Sequence, residues 1–405
     1  MLSVKIDKII LYFLLFFLLF SDLIYIPEII NTIIRYMFIF LGVLYLVYQK
    51  KKLSLSKYNI IIYIYMFFSL ISIIFSPYFN ASLVLSYLQF AIFYLIIINI
   101  DYISNLDELF QTFFRYLRKL IFFANIYSLV LIFFGTHIYE NGTRINYLFS
   151  PYIYQSVHGI SIVDFGYSSF FNNPNIYGFY CLIYLCYLFF VNDLKTKRDK
   201  IFAYISCFIG INLANSRAVI ILSCVLLCIY LFYYLKPITR YMLIPIIMIL
   251  VIIVMFYILS NDVFDYDALF TGRIEMWEKM LDSIRQYPIF GVGFSASTKY
   301  IVGQIDHIYG SHNSYLNILT ENGFIGFFIF IFALVYIIKV SLRTLKSKKQ
   351  YITGYLLFSI SYVLISMPYS FFENVYMVLD LRNTIWMICC IYIVKKLNRL
   401  NLGKE

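Results

Sequence analysis

Apolar runs of bilayer-crossing length follow one another along this chain at short intervals. A spanning helix uses roughly 20 consecutive apolar residues. Runs near that length occupy 9–26, 31–48, 58–76, 82–100, 117–134, 175–191, 201–215, 218–235, 241–260, 322–340, 351–368 and 374–394. Only 13% of the 405 residues are charged, about half the usual ~25% of a soluble protein. No water-soluble globule could bury so much apolar surface, so the expected fold class is an all-α polytopic membrane protein of about twelve transmembrane helices.

The remaining composition narrows the class further. The seven cysteines all lie inside apolar runs, which fits neither a disulfide framework nor a zinc site. The net charge of +11 is spread between spans, so nucleic acid is not an expected partner and the charge is better read as topology. With the N-terminus in the cytoplasm, the inside segments hold 24 of the 32 basic residues, among them Lys50–Lys52, Lys195–Lys200 and Lys395–Lys396. That bias orients a membrane protein and places both termini in the cytoplasm. The first run follows Lys5 and Lys8 but lacks a small-x-small cleavage site, so it reads as a retained anchor.

This topology divides the chain into helices 1–5 (1–134), an outer-face loop (135–174), helices 6–9 (175–260), a large outer-face loop (261–321), and helices 10–12 with a cytoplasmic tail (322–405). Loops of that length are usually functional or disordered, and these hold all four histidines and few charge runs. Chemistry is therefore expected on the outer face, above all in 261–321.

Four features there can carry it. Arg217, in Asn215-Ser216-Arg217, lies 17 residues beyond Lys200, or roughly 25 Å along a helix, near the outer boundary of a core about 30 Å thick. An ionisable group at that depth points to function; the plain alternative is an arginine snorkelling to headgroups. Arg273 to Tyr287 reads as an amphipathic helix, with Ile274, Trp277, Leu281 and Ile284, joined by Met280, on one face and Trp277 at headgroup level. In Ser311-His312-Asn313-Ser314, Ser311 or Asn313 can cap a short helix that Gly323 ends. His312 then sits at the helix N-terminus, where the dipole favours a neutral ring able to act as a base. Phe171-Asn172-Asn173-Pro174-Asn175 has the residues of a helix start. His307 and His312 have no evident third ligand, so no metal is expected. Asp380 and Arg382, two residues apart, are expected not to face each other on a helix.

Taken in order, Phe171-Asn172-Asn173-Pro174-Asn175, Asn215-Ser216-Arg217, Gly272-Arg273 with Trp277, Tyr287-Pro288-Ile289-Phe290-Gly291-Val292-Gly293, and His312-Asn313-Ser314-Tyr315-Leu316 through Glu321-Asn322-Gly323-Phe324-Ile325-Gly326 resemble the O-antigen polymerase and ligase superfamily of bacterial surface-polysaccharide assembly. The resemblance covers roughly 171–340. It implies a C-type glycosyltransferase of the bacterial inner membrane, needing neither metal nor cofactor, that acts on polyprenyl-diphosphate-linked glycans. It further implies that Arg217 and Arg273 hold the diphosphate and His312 activates the acceptor hydroxyl, with Asn313, Asn175, Trp277 and Arg285 binding substrate. A flippase and a chain-length regulator of the same pathway are the implied protein partners. These motifs do not encode the acceptor. The long aromatic loop at 135–174 favours a polymerase, with a ligase transferring the finished chain to lipid A core as the alternative. A lipid-linked oligosaccharide transporter is the rival of a different class, although no repeat relates the two halves of the chain.

Overall fold

A computed structural model describes residues 28–48, 55–99, 106–133, 169–171, 173–191, 193–234, 273–297, 312–345, 353–377 and 380–402, with isolated positions before 28. The expected run at 241–260 lies outside the described residues, as do nearly all of 9–26 and of the loop 135–174. His137, His158 and His307 lie outside them too. Every other expected run overlaps a helix.

In chain order the helices are α1 (Glu28–Tyr48), α2 (Lys57–Ile74), α3 (Ala81–Asn99), α4 (Leu106–Phe133), α5 (Pro174–Phe190), α6 (Lys197–Ala214), α7 (Arg217–Tyr234), α8 (Arg273–Gln286), α9 (Ser314–Leu345), α10 (Gly354–Tyr369) and α11 (Leu381–Leu402). Local chemistry starts several of them. Ser56, Thr196 and Thr353 cap α2, α6 and α10, each side chain accepting a backbone N–H of the first turn. Asn173 caps α5 with Pro174 in its first turn. These side chains satisfy donors that a helix start leaves unpaired.

Four helices, α2, α3, α7 and α9, are long and apolar enough to cross a membrane by length and composition; α5 and α10 are apolar but shorter. Large apolar side chains such as Phe40, Val47, Phe67 and Phe328 stand exposed on the outside of the bundle. Such a surface suits lipid and not water, consistent with an integral membrane protein.

The interior is built on α5, buried almost all round from Tyr177 to Phe190. Helix α6 runs back along it, with Tyr204 donating to the Leu188 carbonyl at 2.9 Å. Helix α7 returns parallel to α5: Gly178 lies against Ala214 and Val219, and Phe189 stacks on Tyr230. Small residues at such contacts let backbones approach closely. Helix α9 runs antiparallel to α2, pairing Tyr336 with Tyr58 at one end and the Glu321 carbonyl with Ser72 at the other. Helix α10 stacks Tyr369 on Phe179 of α5, and α11 packs against both α10 and α9.

These pairings give the bundle two unlike ends. Lys57 begins α2, Lys197, Arg198 and Lys200 begin α6, and Lys395 and Lys396 lie late in α11, all at one end. The opposite end gathers the starts of α5, α7, α9 and α11 with the ends of α2, α6 and α10.

One boundary agrees with expectation and another does not. Helix α9 is continuous from Ser314 except for a break at Gly323 (φ 61°, ψ −170°). A Cβ at Gly323 would stand 2.2 Å from the Ile289 carbonyl oxygen. The segment after α8 crosses α9 at this point, with Val292 and Gly293 donating to the carbonyls of Thr320 and Glu321. The last run, expected to be helical from 374, begins at Leu381 instead. Residues 371–377 form a turn whose backbone donors are taken elsewhere, as described next.

Candidate active site

At the end opposite the lysines, a turn between α10 and α11 is held by the first residue of α9. Ser314 Oγ accepts from Val375 N at 2.7 Å and Tyr376 N at 3.2 Å, and donates to the Glu373 carbonyl at 3.1 Å. Ser314 N donates to the Ser370 carbonyl at 2.8 Å. Glu373 is thereby fixed on a short loop facing four helix ends.

Its carboxylate is where the site residues meet. Oε1 accepts from Asn175 Nδ2 at 2.7 Å and lies 3.5 Å from Arg273 Nη2. Oε2 lies 3.2 Å from His312 Nδ1 and 3.8 Å from Arg382 Nη1. Arg273 also donates through Nη1 to the Phe372 carbonyl at 2.5 Å, so one guanidinium spans the turn. Arg382 donates through Nε to Asp380 Oδ2 at 2.7 Å. The Glu373 side chain is only 8% exposed, against 29% for His312. The carboxylate is thus the buried support and the imidazole the accessible member.

Burial pushes the Glu373 carboxyl up, but His312, Arg382 and Arg273 outweigh that and bring it down to about 2. An ionised carboxylate can only accept hydrogen bonds. His312 Nδ1 must therefore carry a hydrogen, so that whenever the ring is neutral Nε2 is its acceptor. His312 has φ 46°, a left-handed conformation uncommon outside glycine. Asn313 follows and caps α9, its Oδ1 accepting from Tyr315 N and Leu316 N at 3.0 Å each.

The structure thus brings His312, Arg273 and Asn175 to one carboxylate, with Asn313 supporting the turn. Arg217 opens α7 at the same end, two residues after the left-handed Asn215, and is exposed. Val219, two residues on, packs against Gly178, one turn into α5 from Asn175. Trp277 is half-buried against the core. The face that α8 turns inward is Met276, Met280, Ser283 and Ile284, against α9, while Leu281 is exposed. That is a rotation from the face expected, set by α8 docking on protein. Arg285 stands on the outer side, 79% exposed and 2.9 Å from Asp282, and is not brought to Glu373.

Glu373 is not singled out from the sequence, and Arg382 only beside Asp380, without a role at the site. An ionisable residue bordering an apolar run is a functional signal in itself, and Glu373 borders the last one. Asp380 and Arg382, expected not to meet, form an ion pair. Asp380 precedes α11 and caps it, Oδ1 accepting from Asn383 N at 2.8 Å, so helical spacing does not govern the pair.

Among Glu373, Asp380, Arg273, Arg382 and a neutral His312 the formal charges cancel. The arrangement offers a base and a pair of guanidiniums.

Comparison with known families finds a match over residues 202–331 to the model described as O-Antigen ligase. The match covers less than half of the chain. It includes Arg217, Arg273 and His312, and it leaves out Asn175, Glu373 and Arg382. No curated protein matches the chain.

Proposed function

We propose, from the match of residues 202–331 to the model described as O-Antigen ligase, that this protein is of the O-antigen polymerase and ligase superfamily and polymerises polyprenyl-diphosphate-linked oligosaccharide repeat units at the outer face of a bacterial inner membrane. One observation carries the reading. His312 and Arg273, far apart within the matched domain, converge at the end of the bundle opposite the basic flanks at Lys57, Lys197–Lys200 and Lys395–Lys396. Basic flanks face the cytoplasm, so the opposite end faces outward, where lipid-linked glycans are assembled. The family match lends no support to the transporter alternative.

In the proposed reaction, His312 Nε2 takes the proton of an acceptor hydroxyl. The freed oxygen bonds to the anomeric carbon of the donor as the bond from that carbon to the diphosphate oxygen breaks. The electron pair leaves with the diphosphate, and displacement from the opposite face inverts the anomeric configuration. Arg273 and Arg217 meet the charge that develops on the leaving group, where guanidiniums can form paired, charge-assisted hydrogen bonds. The developing charge is met by these side chains, so the step needs no divalent cation.

The second reading, transfer of a finished glycan to lipid A core, is favoured by the description of the matched family itself. Purified protein supplied with the cognate carrier-linked repeat separates the two. A ladder of products from that substrate alone is the expected result. Product only after lipid A core is added makes the protein a ligase, and no product in either condition removes the transferase reading.

A further inference from the structure

Glu373 takes no part in the bond changes written above, yet the elements that frame the site converge on it. Its two oxygens are divided: one toward α5 and α8 through Asn175 and Arg273, the other toward His312 and Arg382. A carboxylate gripped on both oxygens cannot rotate freely, so its direction relative to the His312 ring is set by the packing of four helices. The ring itself sits before the N-terminus of α9. The helix dipole there opposes the arrival of a proton on the ring. An adjacent carboxylate offsets that resistance.

We infer that Glu373 is a positioning residue for His312: it accepts the Nδ1 hydrogen while Asn175 and Arg273 hold its other oxygen, and so reserves the Nε2 lone pair for the acceptor hydroxyl. The inference rests on the transferase reading for its kinetic consequence, not for the state of the ring. When the acceptor proton arrives on Nε2, both ring nitrogens carry hydrogen and the positive charge stands beside Glu373. The ring is reset when that proton passes to water or to the departing diphosphate. The low pKa of Glu373 agrees with this role, because the carboxylate stays ionised throughout. Asp380 extends the support by holding Arg382 in place.

The test uses the full chain in lipid nanodiscs with 15N-labelled histidine, at a pH where imidazole is neutral, with H312N assigning the signal. The unmutated protein is expected to show hydrogen on Nδ1 of His312. In E373Q the ring should shift toward a mixture of tautomers, and kcat should fall by about 10²–10⁴-fold with the donor KM little changed. E373D should recover part of kcat. Hydrogen on Nε2 in the unmutated protein overturns the inference, and so does an E373Q protein with native kcat. If H312A transfers glycan at the normal rate, it is the transferase reading that fails. The tautomer of the unmutated ring decides the positioning role separately, even if E373Q does not fold.

Discussion

The turn that carries His312 is capped from within, whereas the turn that carries Glu373 borrows its hydrogen bonds from another helix. Asn313 satisfies Tyr315 N and Leu316 N two and three residues away. The donors of Val375 and Tyr376 go to Ser314, 61 and 62 residues distant. The first turn is a local device that α9 brings with it. The second takes its shape only once the start of α9 has docked on the turn that joins α10 to α11. The proposed base thus stands on the self-sufficient turn and its proposed support on the dependent one. The geometry of the proposed site is a consequence of helix packing, and damage to packing should reach the proposed chemistry through Glu373.

The largest effect expected breaks the chemistry and spares both turns. His312→Ala should lower transfer by about 10²–10⁴-fold, the usual contribution of a general base, while the protein still inserts and elutes as a single species. Activity within a few-fold of native would remove His312 from the base role.

Next come the arginines, which separate the two kinds of attachment. Arg217→Lys should weaken donor binding by about 10–100-fold, the equivalent of a lost charged hydrogen bond, with thermal stability unchanged because the side chain is exposed. Arg273→Lys should lose both donor affinity and stability, since its fork also bridges Phe372 and Glu373. Equal effects of the two on stability would contradict this division.

Ser314→Ala tests the dependent turn directly. It removes the acceptor for two buried backbone donors, at a cost of about 1–3 kcal/mol. Melting temperature and kcat should fall together. The same loss at Asn313→Ala should be smaller, about 1 kcal/mol, as is usual for a helix cap.

Acid should expose the same support more gently. The folded-state pKa of Glu373 is lowered from 4.5 to about 2, so its contribution is fully present above pH 4.5 and is lost as pH falls through about 2. A melting series over that window should decline in the unmutated protein and show a shallower decline in E373Q; identical curves would mean that the carboxylate is not held ionised. The smallest effect expected is at Arg285. Its pair with Asp282 is solvent-exposed and worth little, so Arg285→Ala should leave stability and transfer unchanged. A large loss of transfer would place the donor along the outer face of α8.

Much of this was legible in the residues. Runs of apolar side chains located the helices, Asn313 and Gly323 marked the start of α9 and the break before its apolar stretch, and Arg273 and His312 stood out as charged or titratable groups in the right segments. The support was not legible. Val375 and Tyr376 read as part of an apolar run, yet their backbone donors go to Ser314, and α11 starts only at Leu381, behind the cap at Asp380. The inward face of α8 was likewise misread by periodicity, because Met276 and Leu281 are equally apolar and docking against α9 chooses between them.

The sequence by itself determined that this chain is a helical membrane protein, where most of its helices begin, and which residues could act as base and anion ligands. Those properties follow from hydropathy and from hydrogen bonds between near neighbours. Only the tertiary structure decided that His312, Arg273 and Asn175 share one carboxylate, and that the carboxylate is Glu373. A buried charge must find its partners wherever packing brings them, and pairings across 61 to 198 positions leave no mark on the local order of residues.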